Sequence, residues 1–236
     1  MKNLLRLSVA AIAVTFLASF APYSFDKLYA EMETRQLKAG KYVTIKGEVC
    51  YSSSGDMITH YSLPRNYVLV SNKQGEVKLY EPAANTVILS QNTMFSSQTS
   101  LFYYFLSGKA ADMGLTEMGY VQDKVYRDKE MLVSEWRLKK PAKKELVQKI
   151  KLVHKDQNPV YMHYQDAGGA IIRKVYYYGY TTLDHISFPA TSTDITFQGK
   201  DSSVSKTVFH NFKMNQQANS PYFNFQIPAN AKIKRL

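Results

Sequence analysis

Between residues 43 and 51 apolar side chains recur at alternate positions. Val43, Ile45, Val49 and Tyr51 alternate with Thr44, Lys46, Glu48 and Cys50, the period of a strand with one apolar face. Gly47 interrupts that face without changing its phase. Residues 52–56 have turn composition and residues 57–61 resume the alternation, which predicts an antiparallel hairpin. Pro64 ends the second strand. A third strand over 67–70, a turn at 72–75 and a fourth strand over 76–80 before Pro82 complete a meander.

After a short apolar run at 86–89 the period changes. Leu101, Phe102, Phe105 and Leu106 recur at helical spacing in a run beginning near Gln98. Ser96 and Ser97 are candidate caps, and Gly108 is the stop. Strands then return over 120–126, 131–138 with Trp136, 146–153, 160–164, 170–180, 186–188, 193–198 and 206–212. Turns are expected at 127–130, 155–159, 166–169, Pro189 and 199–203, and Asp56, Asp166 and Asp201 read as turn residues. About eleven strands with short connections and one helical interruption predict a mainly β fold, a curved antiparallel sheet or incomplete, half-open β-barrel.

Composition narrows this to one domain. The chain has 236 residues, 45% of them hydrophobic, with 18 Tyr and 12 Phe but one Trp; tyrosine suits half-exposed strands, where the ring packs and the hydroxyl reaches water. Lys2 and Arg6 precede an apolar run over 7–20 that is shorter than the about 20 residues of a membrane span. Residues 1–21 are therefore expected to be a signal peptide, with cleavage as late as residue 30 and an uncleaved inner-membrane anchor as the lesser reading. Residues 22–236 form the single domain. Cys50 stands alone, so no internal disulfide is expected, and it is too far along the chain to carry a lipid anchor.

The formal net charge is +11. Much of the excess is concentrated in Arg137, Lys139, Lys140, Lys143, Lys144, Lys149 and Lys151, and in Lys232, Lys234 and Arg235. These fit attraction to an anionic membrane surface or an acidic partner, and fit equally a solvated connection between strands. Nucleic acid is not expected, because no recognition motif is present. The chain lacks a G-x-S-x-G elbow, H-E-x-x-H, a phosphate-binding glycine loop and C-x-x-C. His60, His154, His163, His185 and His210 fall in or beside separate strands without metal-ligand spacing. No enzyme activity, cofactor or metal is expected.

Gly47, residues 61–64 ending in Pro64, residues 68–72, residues 79–82 ending in Pro82, and the helical run near Gln98 resemble in their order the LolA-like periplasmic carriers of outer-membrane lipoproteins, with their LolB, LppX and LprG relatives. Phe209, Phe223, Phe225 and Pro228 resemble that family's closing pattern. The resemblance implies a periplasmic protein with a helical lid over a hydrophobic cavity, which binds acyl chains of lipoproteins or another lipid. Such a carrier takes them from an inner-membrane donor and passes them toward an outer-membrane acceptor, acting as a monomer. Val43, Ile45, Val49, Tyr51 and Met57 fall on its cavity-facing positions, Leu101, Phe102 and Phe105 on its lid, and Trp136 joins the cavity set. An amphipathic helix over residues 25–37 is also implied. Ser53 and Ser54 depart from the pattern, standing where the carriers have an Arg-Pro or Lys-Pro pair whose arginine helps hold the lid closed. A lipid- or lipoprotein-binding sensor and a structural envelope module on the same fold remain alternatives.

Overall fold

The computed structural model describes residues 25–91, 97, 100–140, 146–199 and 201–235. The leader, Ser96, the helix start near Gln98, and Lys143 and Lys144 lie outside them. Fourteen strands form one sheet among the described residues. They are β1 (Lys27–Lys38), β2 (Lys41–Ser52), β3 (Met57–Leu63), β4 (Tyr67–Ser71), β5 (Glu76–Glu81), β6 (Thr86–Gln91) and β7 (Tyr120–Asp128). The series continues with β8 (Met131–Leu138), β9 (Lys149–Lys155), β10 (Asn158–Gln165), β11 (Ile171–Leu183), β12 (Ile186–Gln198), β13 (Asp201–Met214) and β14 (Lys232–Arg235). Among the described residues one α-helix, α1 (Leu101–Leu106), interrupts the series.

The strand order is β14-β6-β5-β4-β3-β2-β1-β13-β12-β11-β10-β9-β8-β7. Every neighbouring pair is antiparallel except β14 with β6, and the sheet is curved and unclosed. Two meanders, β2–β6 and β7–β13, are thus joined through β1. Two of the additional strands have clear origins. Residues 25–37, where the resemblance implies a helix, carry β1 instead: Leu28, Ala30 and Met32 alternate with Tyr29, Glu31 and Glu33, and the strand is satisfied on both edges by β2 and β13. β14 adds at the far edge beside β6. Conversely, the turn expected at Pro189 does not form. β12 runs through it, with Pro189 opposite Tyr180 in the ladder. Asp201 begins β13 rather than closing a turn.

The sheet buries a different cluster on each face. On the inner face Leu28, Ala30, Val49, Tyr51, Trp136, Ile150, Leu152, Met162, Val175, Tyr177, Phe188 and Phe209 pack with Phe102 and Phe105 of α1. On the outer face Cys50, Ile58, Val68, Tyr80 and Val87 pack beneath Tyr222, Phe223, Phe225, Ile227 and Ala231 of the segment between β13 and β14. Cys50 is thus a buried apolar residue whose thiol burial pushes up to about 11. Gly47 leaves room for the neighbouring β3 backbone: a Cβ there would lie 2.3 Å from the His60 carbonyl oxygen, next to a register shift between the two strands. No helix among the described residues is long and apolar enough to cross a membrane.

Candidate functional site

The inner face is filled by a plug made of α1 and the turn-rich residues 107–119. Ser100, not Ser97, caps α1, its side chain accepting from the Tyr103 backbone N–H. Gly108 follows the helix in the left-handed region, φ 68°, where glycine carries no Cβ penalty. Ser97 acts further back along the chain, its hydroxyl donating to the Gly55 carbonyl and its N–H to the Asn72 carbonyl. The approach to α1 is thereby stitched to the turns that close β2–β3 and β4–β5. Ser53 and Ser54 sit in the first of these turns, where Ser54 donates to Asp56 at 2.8 Å.

The spacing of Phe102 and Phe105 puts both rings on the buried side of α1, each 3% exposed. Phe102 stacks with Phe188 at 5.3 Å and Tyr51 at 6.2 Å and meets Phe209 edge-on at 5.1 Å. Phe105 meets Phe188 at 5.5 Å and Tyr180 at 6.2 Å, while Leu101 packs at the margin of the same cluster. Past the helix, Met113 and Leu115 are buried. Asp112 holds that turn by accepting from the backbone N–H groups of Gly114 and Thr116. Lys109 bridges Glu117 and the Tyr103 hydroxyl above it.

Of the residues expected at a cavity, Val49, Tyr51, Met57, Leu101, Phe102, Phe105 and Trp136 belong to the inner-face cluster or pack against it. Tyr51 stacks between Phe25 and Phe102, and burial pushes its hydroxyl up to about 12, so it stays neutral. Trp136 is separated from Phe188's strand by three others, and its indole N–H donates to the Ser134 hydroxyl at 2.9 Å. Val43 and Ile45 share the phase of Val49 but lie outside this cluster: Val43 is 41% exposed and Ile45 half-buried, because the far end of the β1–β2 hairpin extends past the plug.

Phe188, fully buried, is the centre that sequence reading missed, as are its neighbours Phe209 and Phe212 as inner-face residues. The expected turn at Pro189 hid Phe188, although Ile186 and Phe188 already alternate. An open groove of about 330 Å³ continues from the cluster beside Leu183, Phe212 and Met214, lined also by Thr182, Asp184, Asn215 and Gln217. One ion pair lies on the inner side of β11 and β12, where Arg173 Nε donates to Asp194 at 2.8 Å beneath the Tyr164 ring. Among the described residues no group of three or more His, Cys, Asp and Glu could hold a metal ion.

An open antiparallel sheet holding a short helix against its inner face defines the LolA-like fold, and solved structures bear this out. The chain is similar to a LolA superfamily protein from Nitrosomonas europaea, with a TM-score of 0.58 and 13% identity over 86% of this chain and 91% of that one. It is similar also to a putative outer membrane lipoprotein-sorting protein domain from Vibrio parahaemolyticus, with a TM-score of 0.59 and 14% identity over 85% and 90%. A DUF1329 family protein from Desulfovibrio piger matches with a TM-score of 0.58 and 14% identity over 85% and 90%. No protein-family model and no curated protein matches the chain.

Proposed function

We propose that this protein is an exported, periplasmic carrier that binds acyl chains of lipoproteins or another lipid on the inner face of its sheet and hands them toward the outer membrane. The observation that carries this reading is the plug. A six-residue helix holds Phe102 and Phe105 in an aromatic bed, and so short a helix has little stability apart from its packing. Burial of a phenylalanine contributes about 1.5–3 kcal/mol and of a methylene about 0.8 kcal/mol. Several acyl chains taken directly from water would therefore exceed the roughly 20 kcal/mol ceiling on affinity. Displacing the two rings of the plug offsets only about 3–6 kcal/mol of that gain, so release is feasible as a direct exchange into another apolar host. A hand-off between apolar hosts needs neither cofactor nor nucleophile, and a monomer suffices.

Phe102→Ala and Phe105→Ala remove rings that compete with the ligand, so each should tighten binding of a fluorescent fatty-acid probe several-fold. Wild-type affinity in both, or in a Phe102→Asp, Phe105→Asp double variant, would sink the reading.

A further inference from the structure

The outer face of β9–β13 differs from the outer face of β2–β6. The latter lies under the segment that carries Tyr222 and Phe225; on β11, by contrast, Tyr176 and Tyr178 are 38% and 40% exposed while Val175 and Tyr177, which alternate with them, are buried on the other side. The register places side chains across this face in rows. One row runs Lys151, His163, Lys174, Ile195, Val204 and the next Val153, Tyr161, Tyr176, Thr193, Lys206. Lysines and rings interleave: Lys174 Nζ lies 5.6 Å from the Phe197 ring centre and Lys206 Nζ 5.8 Å from that of Tyr178, and Tyr161 and Tyr176 meet at 5.0 Å. Glu135, which pairs with Lys151 at 3.5 Å, is the acid bordering the first row. Burial together with the charges of Lys151 and Lys174 depresses the pKa of His163 between them, as a positive local field requires.

We propose that this face docks the protein on an anionic phospholipid bilayer. Tyrosine rings suit the depth of lipid headgroups, and lysine stems lie along apolar surface while their ammonium groups reach phosphates. The lysines of the two rows, Lys151, Lys174 and Lys206, are point charges on three of the five strands. The flanking guanidinium groups of Arg35 and Arg137 are already engaged by Glu33 and Asp123, so among the described residues the face lacks a free fork of the kind that recognises a carboxylate in a protein partner. Docking here leaves the opposite, plugged face turned away from the lipid surface.

The test is flotation with vesicles of phosphatidylcholine alone and of phosphatidylcholine with one-third phosphatidylglycerol, at low and at high salt. The wild type should float only with the anionic vesicles and only at low salt. Lys174→Glu with Lys206→Glu should weaken this roughly tenfold or more, and Tyr176→Ser with Tyr178→Ser should weaken it without altering circular dichroism. Lys78→Glu with Lys232→Glu, a matched charge change at the other end of the sheet, should float as the wild type does. Equal losses in both charge variants would reduce the effect to net charge and overturn the proposal. Wild-type flotation of the Lys174, Lys206 variant would do the same, as would failure to float combined with retention on an acidic polypeptide. Phe102→Ala keeps the outer face intact and should float normally, so failure of the carrier reading and failure of the docking surface give separate results.

Discussion

His154 and His163 illustrate how neighbours decide what a side chain does. Both are buried, and neither has ligand spacing. His154 Nε2 lies 3.2 Å from the Ala110 carbonyl oxygen, so the neutral ring donates to the plug. His163 faces the other side of the sheet, where its Nδ1 is 3.1 Å from the Tyr161 hydroxyl. Burial lowers the pKa of both below the ordinary 6.5, and Lys151 and Lys174 lower that of His163 further. A depressed base binds fewer protons folded than unfolded. Its stabilising effect is therefore complete above pH 6.5 and is lost as pH falls below it toward the folded pKa. The unfolding free energy should fall between about pH 7 and about pH 5, by at most about 1.4 kcal/mol per pH unit for each histidine, and the melting temperature with it. His154→Gln, which keeps a donor for Ala110, should flatten that dependence; an unchanged slope in both single histidine variants would contradict the assignment. The alternation legible in residues 43–51 placed Val49 and Tyr51 on the correct face, yet could not reveal that Val43 lies beyond the plug, because phase does not report what covers a strand.

Among the elements, β1 and the cover over β2–β6 depended most on partners. Residues 27–38 are rich in Ala, Glu, Met, Leu, Lys and Gln, good helix formers, but pairing with strands on both sides prevailed over local preference. β12 shows the converse for a breaker: Pro189 sits fully buried in a long strand, opposite Tyr180 of β11 but ahead of Thr191, where pairing with β13 begins, so the strand is paired on one side only at the proline. The segment between β13 and β14 covers the outer cluster through Tyr222, 4.3 Å from the His60 ring, and Phe225, 6.0 Å from that of Tyr80. Phe225→Ala should cost about 1–3 kcal/mol in urea unfolding and leave fatty-acid binding unchanged, because the probe binds on the other face. A loss of binding at full stability would mean that the two faces are coupled.

Over the whole molecule, β1 beside β13 is the pairing that unites the two meanders, and it brings Leu28 opposite Met214. Contacts this distant in sequence must close long loops before they stabilise anything. Refolding after urea dilution, followed by Trp136 fluorescence, should accordingly take milliseconds to seconds or longer; a sub-millisecond phase carrying the full amplitude would show that the inner face assembles from local contacts alone. The edges of the sheet are β7 and β14, and β7 carries Asp123, Lys124, Arg127 and Asp128, charges that oppose strand addition.

By itself the sequence determined the strand periods, most of the turns, the helical run with Phe102 and Phe105 on one side, and the mainly β class, all consequences of side-chain spacing over a few residues. Tertiary structure alone decided that residues 27–38 are a strand, that Phe188 is the centre of the inner cluster, and that the face of Cys50, opposite that of Tyr51, is covered by a core of its own. Those outcomes depend on which segments meet across the sheet and which face each covers. Local periodicity carries no record of either.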